Sequence, residues 1–303
     1  MTRMKRWIYD QGYVLMVIAA LVWASNIIVG RGIHDLVPPI GLNFWRWVPT
    51  VPILLALAWP HLREDWPVVR SQWRWMFLLA ALAISGFNTF IYLGLERTTA
   101  VNALLINSSR PAIIVLLSFL LFQVSVRNTI LIGLICGLLG TVVIILRGDL
   151  FRISEFIFNS GDLWVFAATV TWALYTVLLP KRPSIHPASF MAFAVIFGLL
   201  QLLPLYIWET LTIEAFPFTG DTVVAILFLA LFSSIIAHLS YNRVVELLGA
   251  NRAGIISYLI LSFGVLMAII LLGEVFERYH SVGLVLLVTA SWLVARPTSR
   301  SPG

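Results

Sequence analysis

Residues 12–26 read GYVLMVIAALVWASN, and 149 positions further on residues 161–175 read GDLWVFAATVTWALY. Each stretch starts at a glycine, runs mostly apolar and reaches a Trp-Ala pair, Trp23-Ala24 in the first and Trp172-Ala173 in the second. The same shift carries Pro38 onto Pro187 and Tyr92 onto Tyr241. A common offset near half of the 303-residue length points to an internal duplication. Taken alone, the first stretch also has the outline of a cleaved signal peptide. Arg3, Lys5 and Arg6 precede it, and Val22-Trp23-Ala24 loosely fits a cleavage site. Its echo lies deep in the chain, where no signal peptide can stand, and this favours a retained span.

Around these stretches the composition is that of a chain dissolved in lipid. Hydrophobic residues make up 60% and charged residues 11%, with a mean hydropathy of +0.95. Soluble domains carry roughly 25% charged residues, and so few charges cannot cover a globule of this length. A soluble enzyme, a nucleic-acid-binding domain and a disordered chain are excluded on that ground. The net charge of +6 therefore reads as a record of membrane orientation, with no nucleic-acid partner expected. One cysteine, Cys136, leaves no disulfide framework and no Cys-rich metal site. No cofactor or metal is expected.

A helix needs about 20 mostly apolar residues to cross a hydrocarbon layer ~30 Å thick. Ten runs qualify, near 13–32, 40–59, 75–95, 100–122, 128–146, 162–180, 187–208, 222–242, 252–272 and 280–295. Breakers fall between them, among them Pro38-Pro39, Trp59-Pro60 with the charged stretch to Asp65, and Lys181-Arg182-Pro183. Runs three and four are parted only by Glu96-Arg97-Thr98-Thr99, so nine long spans is an open alternative. The expected fold is all-α and integral to the membrane, with ten transmembrane helices as two inverted five-helix repeats. Residues 13–146 and 162–295 form the repeats, 147–161 an external linker, and 1–12 and 296–303 short cytoplasmic termini with no room for a further domain. An odd number of spans per repeat makes the second half enter the membrane from the opposite side, as in many secondary transporters. With ten spans, 13 of the 20 Lys and Arg residues fall on one side and five on the other. Arg46 and Arg110 stay inside spans. The richer side is cytoplasmic by the positive-inside rule, so both termini are expected there, with the lipid bilayer as the chain's partner.

Polar side chains at bilayer depth are costly and therefore informative. Trp23 and Asn26 share a face of the first span; Ser85, Asn88 and Tyr92 share one in the third; Asn107 to Arg110 precede Pro111 in the fourth. Trp172 and Tyr175 lie in the sixth span, Ser234, His238 and Tyr241 in the eighth, and Ser257, Tyr258 and Ser262 in the ninth. The candidate substrate-binding residues are Trp23, Asn26, Asn88, Tyr92, Asn107, Trp172, Tyr175 and Tyr258, expected to line one cavity near mid-membrane. Indole and phenol rings with a few amides suit an amphipathic aromatic substrate. Arg46, Arg110, Pro111 and His238 are candidates for structural or gating roles. Arg46 is expected to tether helices through backbone carbonyls, Arg110 to bind a carboxylate or snorkel, and His238 to sit solvated near the cytoplasmic end. Trp7, Trp59, Trp66, Trp73, Trp75 and Trp208 read as an interfacial belt. The Gly133, Gly137 and Gly140 row reads as close helix packing, compatible with a monomer or a weak homodimer face.

On these residues the chain resembles the drug/metabolite transporter superfamily of the EamA-like, ten-helix type. The resemblance is carried by Gly12 to Asn26 and its echo, by Phe44-Trp45-Arg46, and by Tyr92 to Ala103 and Tyr241 to Ala253. Leu272-Gly273-Glu274 adds to it, and Gln123 stands where the first repeat would carry the matching Glu. Within the superfamily the pattern is most similar to YddG-type exporters. That similarity implies a carrier in a bacterial inner membrane that exports aromatic amino acids and related amphipathic compounds by alternating access.

No acidic residue falls clearly at mid-membrane, and proton-coupled carriers commonly use one there. A facilitated uniporter is therefore favoured over proton antiport. A proton-coupled multidrug or small-amino-acid exporter is the alternative. A membrane-embedded transferase stands further off, because the sequence has no Asp cluster and its five histidines are scattered singly.

Overall fold

The computed structural model describes residues 9–33, 37–95, 97–98, 103, 106–149, 159–272 and 276–295, without the side chains of 26–33, 95, 268–269, 271–272 and 295. Regular structure among them is helical throughout. Helix α1 (Gly12–Ile33) is followed by α2 (Pro39–Trp47) and α3 (Thr50–Ala58). Pro49 parts α2 from α3, since it brings no backbone N–H to the ladder. Helix α4 (Leu62–Ser71) was expected to be only a charged connection. It folds because Leu62, Val68 and Val69 turn one face inward while Arg63, Glu64 and Arg70 stay exposed.

Next come α5 (Trp73–Ala80) and α6 (Phe87–Leu95), continuous through a π-helical segment at Ala81–Gly86. Helices α7 (Arg110–Phe122) and α8 (Asn128–Ile145) end the first half. The second half holds α9 (Ser160–Leu178), α10 (Pro187–Thr212), α11 (Gly220–Phe228) and α12 (Ala237–Leu248), then α13 (Ala250–Ala253), α14 (Ile256–Leu272) and α15 (Arg278–Ala295). A second π-helical segment, Leu229–Ile236, joins α11 to α12. The shift from Gly12 to Gly161 lays one π segment on the other, so the duplication extends to an irregularity of the backbone.

Packing follows the same relation. Helix α1 lies against α12 and α14, as α9 lies against α6 and α7; α10 packs on α2 and α3, and α8 on α15. Among the described residues, seven segments are long and apolar enough to cross a membrane, and three shorter apolar helices, Gly12–Ser25, Arg110–Phe122 and Arg278–Val294, accompany them. Ten crossings require the shorter three to span as well.

The glycine row on α8 is spent inside the chain. A Cβ on Gly133 would meet Val294 Cγ2 at 2.7 Å, and one on Gly140 would meet Leu286 Cβ at 2.9 Å. On Gly137 it would overlap the Tyr258 ring. The row is thus the seam with α14 and α15. Trp59, Trp66, Trp73 and Trp208 are exposed as a belt requires, whereas Trp75 packs on the core. Trp7 and the Gly273-Glu274 pair lie outside the described residues.

Candidate functional site

Helices α1 and α9 bring the two echoed tryptophans together. The rings of Trp23 and Trp172 meet edge to face, with centroids 5.4 Å apart and planes at 82°. This geometry sets the positive edge of one indole against the negative face of the other. From α12, His238 lies 5.4 Å from Trp23 and 5.6 Å from Trp172, and Tyr241 lies 5.4 Å from both. Trp47 reaches His238 at 5.1 Å, Phe87 reaches Trp172 at 4.9 Å, and Tyr175 completes the group at 5.6 Å from Trp172. The expected open cavity is here a plug of rings, because Trp172, Tyr175, His238 and Tyr241 are all buried against their neighbours. Two shallow apolar grooves lie elsewhere, one along Phe44, Val51 and Leu203, the other along Leu55, Trp66 and Phe193.

The π segment before α12 supplies the polar centre of this plug. A π turn takes backbone carbonyls out of α-helical register and leaves them able to accept from side chains. The Ser233 carbonyl accepts Trp23 Nε1 at 3.2 Å and His238 Nδ1 at 2.8 Å. A carbonyl only accepts, so the His238 proton sits on Nδ1, and Nε2 is buried with no hydrogen-bond partner among the described residues. His238 is therefore at the heart of the aromatic group, where a solvated end position was expected. The phenols are likewise held: Tyr175 donates to Asn242 Oδ1 at 2.7 Å, and the Tyr241 hydroxyl pairs with Thr176 Oγ1 at 2.7 Å.

Two guanidinium groups flank the rings. Arg46 donates from Nε to Ser234 Oγ at 3.2 Å and from Nη2 to Ser233 Oγ at 3.5 Å, and it lies 5.2 Å from the Trp47 ring centre. Its partners are hydroxyls of the π segment, where backbone carbonyls were expected. Arg110 stays buried and does not snorkel. Its guanidinium lies 5.1 Å from the Phe87 centroid and 5.8 Å from that of Trp172, and Nη2 donates to Asn107 Oδ1 at 2.7 Å. Asn107 also accepts from Thr169 Oγ1 at 3.2 Å and donates to the Ala103 carbonyl at 3.0 Å, which fixes the amide between α7 and α9. Pro111 occupies the first turn of α7, where its missing N–H costs nothing. Gly254 abuts it, since a Cβ there would stand 3.5 Å from Pro111 Cα.

Other expected site residues lie apart. Tyr92 packs in a separate cluster with Val37, Leu42, Trp45, Tyr206 and Phe216, although its repeat partner Tyr241 is central. Tyr258 presses on Gly137 and donates to the Leu134 carbonyl at 3.4 Å, a packing role on α8. Asn88 is buried on α6 beside Phe87. The side chain of Asn26 lies outside the described residues. Trp47, Phe87, Ser233 and Asn242 belong to the assembly without having been expected there. Tyr241, already grouped with His238 in the sequence and aligned with Tyr92 by the 149-residue shift, also belongs to it.

Buried carboxylates serve helix ends. Glu209 of α10 accepts the Ile40 and Gly41 N–H groups at 2.9 and 2.6 Å, at the head of α2. Asp162 closes a capping box with Asn159 on α9 and also accepts from Thr98 Oγ1. At the end of the bundle where α3 meets α4, His61 and His186 stack with centroids 3.9 Å apart. The His186 pKa is held below its usual value first by burial and then by His61, with Arg182 acting in the same sense and Asp65 opposing.

The sequence pattern of the EamA-like transporter family matches residues 10–146 and again residues 159–296. An uncharacterized transporter of Archaeoglobus fulgidus is 25% identical over 285 residues, covering 93% of this chain and 96% of its own. One from Methanothermobacter thermautotrophicus is 28% identical over 300 residues, covering 93% and 85%. A solved crystal structure superposes with a TM-score of 0.78 at 19% identity, over 94% of this chain and 96% of its own, a likeness of fold. The family's double match falls on the two halves that share the Trp-Ala stretches and the π segments, and with them on a helical membrane architecture. This chain belongs to the EamA-like transporter family.

Proposed function

We propose that the chain exports aromatic amino acids and related amphipathic metabolites across a bacterial inner membrane, by alternating access and as a facilitated uniporter. Ten spans with both termini cytoplasmic would give the two halves opposite senses in the bilayer. The observation that carries this reading is the Trp23–Trp172 contact, in which equivalent residues of the two halves meet within one aromatic group. A flat ring can replace one of these side chains in its stack when the helices part, keeping the aromatic contacts. Uniport is supported by the carboxylates: Glu209 and Asp162 are engaged at the N-termini of α2 and α9, where ionised oxygens are stabilised by the helix ends.

The test is release from liposomes. Vesicles carrying the purified protein and preloaded with phenylalanine or tryptophan should empty faster than protein-free vesicles. An imposed pH gradient should leave the rate unchanged. Equal release across a broad metabolite panel would sink the aromatic reading, and acceleration by the gradient would favour proton antiport.

A further inference from the structure

Arg46 and Arg110 are 3% and 8% exposed, and both touch rings of the central group. Among the described residues neither forms an ion pair. Arg46 is met by two serine hydroxyls, and Arg110 by one amide oxygen. Arg110 Nε is buried with no hydrogen-bond partner among the described residues. A guanidinium can satisfy up to five N–H donors, and neutral oxygens do not cancel its charge. Ring faces attract a cation but carry no net charge to offset it. The two buried carboxylates among the described residues, Glu209 and Asp162, are bound at helix N-termini. The site thus holds two positive charges and lacks a counter-ion among the described residues.

We propose that the cargo supplies it: Arg110, with Arg46 beside Trp47, makes the site favour aromatic carboxylate anions without an ammonium group over the zwitterionic amino acids, which it still carries. The inference rests on the aromatic-carrier reading and narrows its cargo. A carboxylate can take the unpaired Nε–H and a neighbouring Nη–H of Arg110 together, a bidentate pair. The aromatic ring of the same molecule then falls on Phe87 or Trp172, which Arg110 already covers. Among the described residues an ammonium finds no carboxylate there. The lone pair of His238 Nε2 suits a hydroxyl or ring N–H, and it cannot neutralise a cation. A unit charge about 6 Å from a guanidinium, at an effective dielectric near 20, alters affinity by roughly 100-fold, in opposite directions for anion and cation.

Three compounds that share a phenyl ring and differ in charge make the test: 3-phenylpropionate, phenylalanine and phenethylamine. In proteoliposomes of the full chain, phenylpropionate flux should exceed phenethylamine flux by about tenfold or more, with phenylalanine between them. A potassium-diffusion potential of about 100 mV, positive on the receiving side, should raise phenylpropionate accumulation about 50-fold and leave that of phenylalanine unchanged. Arg110→Gln should erase the ranking, and Arg110→Lys should restore part of it. The wild-type comparison stands even if a variant does not fold. Equal flux for all three compounds overturns the charge selectivity while sparing the aromatic carrier. Phenylpropionate flux indifferent to potential means the carboxylate crosses neutralised, and also overturns it. If none of the three moves faster than in protein-free vesicles, the aromatic carrier falls and the inference with it.

Discussion

Truncating Glu209 should loosen the joint between α10 and α2 more than any exposed charge change could. Its carboxylate is 1% exposed and accepts the N–H groups of Ile40 and Gly41 at 2.9 and 2.6 Å. These are two of the four donors that any helix leaves open at its start. Hydrogen bonds to a charged acceptor are worth about 1.5–3 kcal/mol each, and a negative charge at a helix N-terminus adds up to ~2 kcal/mol in a partly buried setting. Relief from burying the charge offsets some of this, so Glu209→Ala should cost about 3–5 kcal/mol, the range for removing one member of a buried charged pair. Glu209→Gln keeps the geometry and one acceptor oxygen, and should cost about 1–2 kcal/mol. Thermal unfolding in detergent, followed by tryptophan fluorescence, should rank wild type above the Gln variant and that above the Ala variant. A wild-type midpoint for Glu209→Ala would refute the reasoning, because two donors buried away from water cannot lose their acceptor at no cost.

Other perturbations read different parts of the molecule. Gly137→Ala places a Cβ inside the Tyr258 ring, and the shift this forces should lower stability by about 1–3 kcal/mol in the same assay. Tyr258→Phe should leave that loss in place, whereas Tyr258→Leu in the Gly137→Ala background should recover part of it. Trp23→Ala and Asn107→Ala should each lower the unfolding midpoint, through lost packing or an orphaned Arg110 donor. Both should also impair release of preloaded tryptophan at temperatures where the variant stays folded; unimpaired flux in both would show that the site lies elsewhere. Because the His186 pKa is depressed, the unfolded chain takes up the proton first, so stability is complete above the ordinary value of 6.5 and declines as pH falls below it. Midpoints measured from pH 8 to 5 should show that decline for wild type. It should be smaller for His186→Asn, which can still cap α10 but cannot titrate against His61, Asp65 and Arg182.

Much of the architecture is legible in hydropathy alone, because lipid forces each span to be apolar and lets glycine and proline mark its ends. The 149-residue shift is legible for the same reason it is structural: Gly12 and Gly161 both sit where helices approach closely, against Leu248 and Gly94. The π segments are not legible, since Ala81–Gly86 and Leu229–Ile236 are as apolar as the turns around them and hydropathy does not register which carbonyl a given N–H reaches. The burial of His238 is not legible because polarity alone suggests solvent, while its donor role to Ser233 O depends on a backbone irregularity five residues away. Glu209 looked like the charged end of a span. Its partners stand at Ile40 and Gly41, 169 and 168 residues earlier, and only the folded chain brings them together. Tyr92 and Tyr258 had the chemistry of site residues, and packing put them to other use.

The paired π segments bear on helical phase. One extra residue in a turn advances the face of a helix by about 100°. The α6 and α12 halves of their spans are therefore turned away from the faces that unbroken helices would present. In the second half of the chain that rotation aims Ser233 at Trp23. In the first it sets Ser85 against Gln201 of α10, at 2.5 Å. The cycle proposed above exchanges conformations between the halves, and each half carries its π segment at the corresponding place in its span.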